Sequence, residues 1–406
     1  MHVIVVTDVA HVDGGSARIA LGSAIGLAQR DVRVTVFSAV GPVAPNLAGI
    51  QVVCLHQHEI LNDPSRLRAI TQGVWNSTAA ARMTALLRTL DRNDTIVHLH
   101  TWTKALSASV VAAALALGFR VVLSLHDYFA ACPAGSFFLS PQQQICTLRP
   151  MSLACIKTNC DSRNYANKLW RVGRQFVANQ FAHMPSGILD YISVSDLSEA
   201  VLRPCLPANA RIRRVQNFID VQTQPPVHVA ANTTFSYVGR LSAEKGPLLF
   251  AQAAHDLPID IQFLGDGPLR AQIAQAAPRA TLSGWLTPAH VASHLQRSRA
   301  LVFPSLWYET QGLVVAECAA MGIPAIVPST CAAREWVQHG ITGLHFRGGD
   351  AGDLREKILQ LHNDPQLAAT MGLEAHRRYA QQPATLAMHC DHLLAVYRDM
   401  LAQPTG

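Results

Sequence analysis

At 406 residues the chain is too long for one ordinary core and fits two domains of roughly 200 residues each. Apolar residues make up 49% and charged residues only 15%, which excludes a disordered chain. The net charge of +6 suits anionic ligands, yet no Lys/Arg block is dense enough to argue for nucleic acid.

The longest apolar runs, such as 110–118, fall far short of the roughly 20 residues that span a bilayer. The N-terminus lacks a basic lead, a long apolar stretch and a cleavage site, so it reads as a first strand, and a cytoplasmic protein is expected. Its nine cysteines are then mostly reduced thiols.

Apolar β-rich runs recur at 2–7, 32–37, 95–99, 120–125 and 190–194, with helical stretches at 16–29, 66–90 and 104–117 between them. That alternation predicts a parallel sheet flanked by helices. After the first strand, Gly14-Gly15 leads into a helix whose backbone N–H groups could receive a phosphate. The three spaced glycines of a dinucleotide fingerprint are absent, which disfavours a nicotinamide cofactor. His100 and Trp102 follow one strand, where they could line a ligand pocket; a packed core tryptophan explains Trp102 equally well. His126 and Asp127 follow another strand and would project into the cleft, with Asp127 placed to orient His126; a lone histidine is more often structural.

Cys132, Cys146, Cys155 and Cys160 gather in one loop-rich segment with gaps of thirteen, eight and four residues. A structural zinc site, buried thiols and a strained disulfide are all open at this point. Residues 163–183 read as a basic helix carrying Tyr165, Trp170, Phe176 and Phe181, which could rest on an anionic membrane surface or pack on the sheet. A polar, proline-bearing stretch at 220–234 then breaks the rhythm and is the linker candidate.

The alternation restarts with strands at 235–238, 259–264, 300–303 and 324–327. Two α/β units are therefore expected, at 1–219 and 233–385, with a last helix at 386–406; a cleft between them is the default ligand site. Gly239, Arg240 and Lys245 follow the first of these strands, and fixed cations beside a strand-end turn are what a diphosphate needs; taken alone, two surface bases beside a β-turn explain them equally well. Gly265-Asp266-Gly267 follows the second, where small residues permit a ligand's close approach to the backbone, though a plain tight turn explains them nearly as well; Gly284-Trp285 is a weaker turn of the same kind.

The last motif runs from Phe303 through Glu309, Gly312, Leu313 and Glu317 to Gly322-Ile323-Pro324. Glu309 falls in a loop, Gly312 opens a helix ending at Gly322, and Glu317 lies in its second turn. The apolar neighbours of Glu317 make a merely solvated carboxylate hard to sustain.

These motifs, in this order, resemble the donor lobe of the family 4 retaining glycosyltransferases, which have the GT-B fold of two Rossmann-like domains. The resemblance runs over most of the chain and is strongest from 235 to 329. It implies a nucleotide-diphosphate sugar, such as a UDP- or GDP-sugar, as donor, with no cofactor required. Arg240 and Lys245 would hold the diphosphate, Glu309 the donor sugar hydroxyls and Glu317 the nucleotide ribose. Gly14 and Gly15 would lie by the donor phosphate, His126 beside the reacting sugar, and the last helix would return to the first lobe. One departure is Gln311, where a phenylalanine is common, and it bears on sugar recognition.

The implied reaction displaces nucleoside diphosphate with retention at the anomeric carbon. Arg240, Lys245 and the helix opening at Gly312 would neutralise the leaving group, and no Asp-x-Asp motif stands at a plausible place. A saccharide or lipid-linked saccharide acceptor follows, in polysaccharide or lipopolysaccharide assembly at the inner membrane surface. The rival readings are an epimerase or phosphorylase on the same fold, or a non-catalytic nucleotide-sugar-binding scaffold.

Overall fold

A computed structural model describes residues 1–219, 221 and 225–403. Part of the expected linker, residues 220 and 222–224, and the end of the last expected segment, 404–406, lie outside the described residues. The chain forms two compact units: Met1–Ser136 with Leu148–Phe218 and Thr385–Gly406, and Phe137–Thr147 with Ile219–Ala384.

The strands of the first unit are β1 (His2–Val9), β2 (Arg33–Val40), β3 (Gln51–Cys54), β4 (Thr95–Leu99) and β5 (Arg120–Ser124). Next in the chain comes a two-stranded antiparallel hairpin, β6 (Phe138–Leu139) and β7 (Gln144–Ile145), which belongs to the second unit. The first unit closes with β8 (Asp190–Ser193) and β9 (Arg211–Arg214). Its sheet runs β3-β2-β1-β4-β5-β8-β9, parallel throughout. Buried β-branched residues such as Val3, Val5, Val36 and Val122 make the central strands nearly continuous apolar runs, as a sheet covered on both faces requires.

The second unit holds β10 (Thr234–Val238), β11 (Asp260–Leu264), β12 (Thr281–Gly284), β13 (Ser298–Val302), β14 (Ala325–Pro328) and β15 (Gly343–Phe346). Its parallel sheet runs β12-β11-β10-β13-β14-β15. In each sheet the strand order reverses at one place, between β1 and β4 and between β10 and β13. Loops that leave those strands diverge there, which opens the crevice where ligands of such sheets bind.

Five helices matter to the sites: α1 (Gly15–Ala28), α2 (Tyr165–Phe181), α3 (Pro247–Ala253), α4 (Leu313–Ala320) and α5 (Leu386–Ala402). Helix α5 packs on α1 within the first unit, with Cys390, Leu393, Leu394 and Tyr397 buried among Ala20, Leu21, Ala24 and Leu27. Each fully buried leucine there contributes about 1.5–3 kcal/mol. Gly26 permits the approach, because a Cβ there would stand 2.5 Å from the Cys390 sulfur.

Several elements differ from the sequence reading. The helix expected over 66–90 is two, Arg66–Val74 and Ser77–Leu87. Between them Asn76 is buried; its side chain accepts from the Ala79 N–H at 3.0 Å and donates to the Ala105 carbonyl at 2.8 Å, so the chain turns instead of continuing. The helix expected from Lys104 begins at Ser109, because the carboxylate of Asp8 accepts the N–H groups of Lys104, Ala105 and Leu106 at 2.9–3.0 Å. The described end of the linker packs on the second unit: Val227 N–H donates to the Met321 carbonyl at 2.9 Å and Val229 is buried.

Candidate functional site

In the second unit, the loops leaving β10, β11, β13 and β14 interlock at the carboxyl edge of the sheet. Gly239 N–H donates to the Leu264 carbonyl at 3.0 Å and Leu241 N–H to the Asp266 carbonyl at 2.9 Å. Gly265 has φ +149, and a Cβ there would meet the Gly239 carbonyl oxygen at 2.0 Å. A Cβ on Gly267 would meet that of Leu241 at 2.6 Å. These two glycines are thus demanded by the neighbouring protein loop, which favours the plain tight turn that the sequence reading weighed against ligand approach. Asp266 is exposed, with its carboxylate accepting from the Gly267 N–H at 2.8 Å.

The turn after β10 carries Arg240 and Lys245. Gly246 closes it in the left-handed region at φ +66, and a Cβ there would meet the Pro304 carbonyl oxygen at 2.0 Å. Leu306 N–H donates to the Glu244 carbonyl at 2.9 Å, and Ala332 N–H donates to that of Glu309 at 3.1 Å. The lysine turn and the glutamate loop are therefore pinned to one another and to the segment after β14.

This clamp brings Lys245 and Glu309 together. The ammonium donates to Glu309 Oε2 at 2.5 Å, with side-chain exposures of 28% and 12%. The indole N–H of Trp307 donates to the same oxygen at 3.1 Å, and the lysine ammonium lies 5.1 Å from the centre of the Trp307 ring. Arg240 is exposed beside this pair in sequence, its carbonyl accepting from the Tyr237 hydroxyl at 2.7 Å. Trp307 was not anticipated; its position two residues before Glu309 was the only available signal.

Gly312, at φ +74, is the N-cap of α4, and a Cβ there would meet Ala333 Cβ at 2.8 Å. The helix spans eight residues, ends before Gly322, and carries Leu313 at its start and Glu317 in its second turn, both half-buried, as the sequence reading required. An open cavity of about 680 Å³ reaches Leu306 and is walled by Gln142, Gln143 and Gln144 of the hairpin with Thr330 and Arg347. The Arg347 guanidinium is already engaged there by Asp350 at 2.9 Å and Asp353 at 3.5 Å.

In the first unit the corresponding reversal lies between β1 and β4. Gly14 is extended (φ 175), and nothing lies within 4 Å of a Cβ on Gly14 or Gly15, so the fold itself does not demand either glycine. Across the reversal, the buried ring of His98 links the Tyr397 hydroxyl (2.6 Å) to the Ser124 hydroxyl (2.8 Å). His100 and Trp102 are buried at 1% and 5% exposure. The His100 Nδ1 lies 2.9 Å from His126 Nε2, with the two rings stacked at 5.2 Å.

Burial pushes His126 down to about 3, and His98 and His100 well below the ordinary histidine value, so all three rings are neutral near pH 7. Burial pushes the Asp127 carboxyl up to about 6, and its Oδ1 accepts from the Phe129 N–H at 3.0 Å. The geometry thus ties His126 to His100 and Asp127 to its own turn. Arg174, on α2, donates to the Thr103 and Pro133 carbonyls at 3.2 and 3.4 Å and lies over the rings of Phe129 and Trp170. Asp8 and Arg174 hold the loops after β4 and β5 and were not singled out from sequence, since their partners lie about 100 and 40–70 residues away.

The zinc site considered for Cys132, Cys146, Cys155 and Cys160 is not formed. Among the described residues no group of three or more His, Cys, Asp or Glu is placed to hold a metal ion. The buried Lys168 ammonium instead donates to the sulfurs of Cys155 and Cys160 at 3.4 and 3.3 Å. A cation fixed there repels a dication from the same sulfurs. Cys146 lies at the end of the hairpin and groups with the second unit.

Two parallel sheets of doubly wound order, each with its own switch point, are the two Rossmann-like units of the GT-B class. The chain belongs to Glycosyltransferase Family 4, whose family model matches residues 13–223. A second model, Glycosyl transferases group 1, matches residues 232–364.

Among curated proteins, the chain is 30% identical to the alpha-D-kanosaminyltransferase of Streptomyces kanamyceticus over 181 residues, which is 40% of this chain and 45% of that protein. It therefore spans less than half the length of that relative. It is 26% identical to the alpha-maltose-1-phosphate synthase of Mycobacterium tuberculosis over 76% of this chain and 80% of that protein. Among solved structures, Anabaena Alr3699/HepE in complex with UDP superposes with a TM-score of 0.66 at 18% identity, covering 98% of this chain and all of that one. The sucrose-phosphate synthase of Thermosynechococcus elongatus gives 0.69 at 18% identity over 99% of each. At such identities these structures speak to the fold.

Proposed function

We propose that this glycosyltransferase moves a hexose, with retention, from a nucleoside-diphosphate sugar to a saccharide or lipid-linked saccharide in bacterial polysaccharide or lipopolysaccharide assembly. Residues 219–384 with the hairpin segment 137–147 act as the donor unit, and residues 1–136 and 148–218 with the helix Leu386–Ala402 as the acceptor unit. The observation that carries the reading is the clamp after β10 and β13, which presents Lys245, Glu309 and the exposed Arg240 where a sheet of this order binds ligand.

In this reading Arg240, Lys245 and the N-terminus of α4 at Gly312 receive the diphosphate, while Gly239, Gly265, Asp266 and Gly267 shape the turn around it. Leu313 backs the sugar and Glu317 holds the ribose. Gly14 and Gly15 offer open N–H groups to phosphate. The bond from the anomeric carbon to the β-phosphate oxygen breaks, and the acceptor oxygen bonds to the same face of that carbon. The acceptor proton passes to the leaving phosphate, whose charge the two cations neutralise. His126, neutral and held by His100, serves as a hydrogen-bonding contact to the sugar, with Asp127 and Trp102 supporting the acceptor side.

Relatives' names favour this chemistry. An alpha-D-kanosaminyltransferase and a GDP-mannose-dependent alpha-mannosyltransferase of Corynebacterium glutamicum are named for α-linked products, and HepE was solved with UDP. A UDP- or GDP-sugar is therefore the donor class. Three glutamines wall a cavity of the donor unit whose arginine is already paired with Asp350, and such amides suit an uncharged polyhydroxylated ligand. Peripheral membrane contact is proposed from exposed Leu67, Ile70, Leu169, Phe176 and Phe181 on the helices Arg66–Val74 and α2. No helix among the described residues is long and apolar enough to cross a membrane.

The test is calorimetric titration of UDP and GDP, in EDTA, into the wild type and the Arg240→Ala/Lys245→Ala double variant. One diphosphate binds the wild type at micromolar strength, about −8 kcal/mol, and the double variant loses at least tenfold. Equal binding by both proteins, or by neither, sinks the reading.

A further inference from the structure

The Lys245–Glu309 pair does more than mark the site. Both groups that a sugar nucleotide would use are already spent on one another. Lys245 is the cation for the diphosphate, and its ammonium is bonded at 2.5 Å to the carboxylate that faces the sugar. Glu309 is the more buried partner, at 12% exposure, and its oxygen is shared with the Trp307 indole N–H at 3.1 Å. The same indole ring lies 5.1 Å from the ammonium. Trp307 therefore keeps the carboxylate in place, whether or not the lysine stays.

A diphosphate that takes Lys245 separates this pair and leaves a largely buried carboxylate without its cation. A buried charge stripped of its partner is costly unless new hydrogen bonds replace it. An intact donor supplies them, because sugar hydroxyls can donate to Glu309. A free nucleoside diphosphate supplies none, and it also brings an extra ionised phosphate oxygen towards the carboxylate. We infer that Glu309, held by Trp307, is an internal competitor for Lys245 that makes the site favour the intact sugar nucleotide over the released nucleoside diphosphate. Product release is then driven by re-formation of the Lys245–Glu309 pair. Trp307 is a positioning residue in this scheme, since it acts through Glu309.

The inference rests on the donor reading above, and its test separates the two. Affinities of UDP and UDP-glucose, or GDP and GDP-mannose, are measured by calorimetry for the wild type, Glu309→Gln and Trp307→Phe, with Tm followed for each. The wild type binds the intact donor more tightly than the diphosphate. Glu309→Gln binds the free diphosphate about tenfold more tightly than the wild type while losing turnover, and so inverts the preference. Trp307→Phe frees Glu309 to move and narrows the preference, with kcat/KM falling while the diphosphate affinity rises. Unchanged or weaker diphosphate binding by a folded Glu309→Gln overturns the inference and leaves the donor reading standing. Absence of any nucleotide binding in the wild type sinks the donor reading itself.

Discussion

At the scale of single residues, Gln311 presents the sharpest conflict between side chain and surroundings. It is 4% exposed, between the glutamate loop and the cap of α4, and neither its Oε1 nor its Nε2 has a hydrogen-bond partner among the described residues. Each unsatisfied buried polar group costs about 1–3 kcal/mol, while an apolar side chain of similar size costs nothing of the kind. Replacing Gln311 with Met is therefore expected to raise stability by about 1–3 kcal/mol, seen as a higher Tm or denaturant midpoint. A lower Tm for that variant would contradict this account. The glycines of the donor clamp make the complementary point. Gly246 and Gly265 tolerate no Cβ because backbone carbonyls of other loops stand 2.0 Å from where it would be. Their presence was legible in the sequence, but their reason was not, since the atoms they avoid lie about 25 to 60 residues away.

At the scale of elements, the first unit is tied by buried histidines. His98 on β4 joins the Tyr397 hydroxyl on α5 to the Ser124 hydroxyl on β5, and His389 on α5 bonds the Ser23 hydroxyl of α1 and the Gln216 carbonyl. Burial lowers His389 to about 4, alongside His126 at about 3 and the still more deeply buried His98 and His100. Between pH 6.5 and about 4 the unfolded chain binds these protons and the folded chain does not. Stability therefore falls as pH falls through that window, by about 1.4 kcal/mol per pH unit for each fully responding ring.

Asp127 works in the opposite sense between 3.8 and about 6, because burial keeps it protonated in the folded state while the unfolded chain ionises. Burial raises the Asp8 carboxyl in the same sense, but four rings outweigh two carboxyls, so Tm should drop clearly from pH 7 to pH 5, before the ordinary carboxylates titrate. A flat Tm over that range would show that the rings are not held neutral. Element boundaries were the least legible part of the sequence. The strands Gln51–Cys54, Arg211–Arg214, Thr281–Gly284 and Gly343–Phe346 have four residues each and lie at or next to sheet edges, where too few alternating positions exist to set a period.

At the scale of the whole molecule, the exposed apolar side chains are unevenly placed. Leu67 at 74%, Phe181 at 64% and Phe176 at 53% stand on two helices that pack together through Trp170 and Ile70. The bases of α2 are less available than its composition implies: Lys168 is buried against two thiols, Arg171 pairs with Asp161 at 2.8 Å, and Arg174 is bonded inside the unit. Membrane contact by this face would thus depend more on apolar insertion than on charge. In flotation with vesicles of anionic phospholipid, the wild type should float and the Leu67→Ser/Phe176→Ser/Phe181→Ser variant should stay down, with only a shallow dependence on salt. Equal flotation of both proteins removes the membrane reading and leaves the transfer reaction untouched.

What the sequence determined by itself was whatever local pattern encodes: the alternation of apolar strands with helices, the break near residue 220, and the helix from Gly312 to Gly322. These follow from periodicity and from glycine's access to left-handed backbone, both properties of neighbouring residues. The ordered motifs also carried the family, because each lies within a few residues of a strand end.

Tertiary structure decided the rest. It routed the segment after Cys132 as a hairpin grouped with the second unit and put Lys168, rather than a metal, between Cys155 and Cys160. It diverted residues 104–106 from helix to the carboxylate of Asp8, and it set Lys245 against Glu309, sixty-four residues on. Each of these is a contact between distant segments whose chemistry depends on what burial brings together, and no local pattern records such a partner.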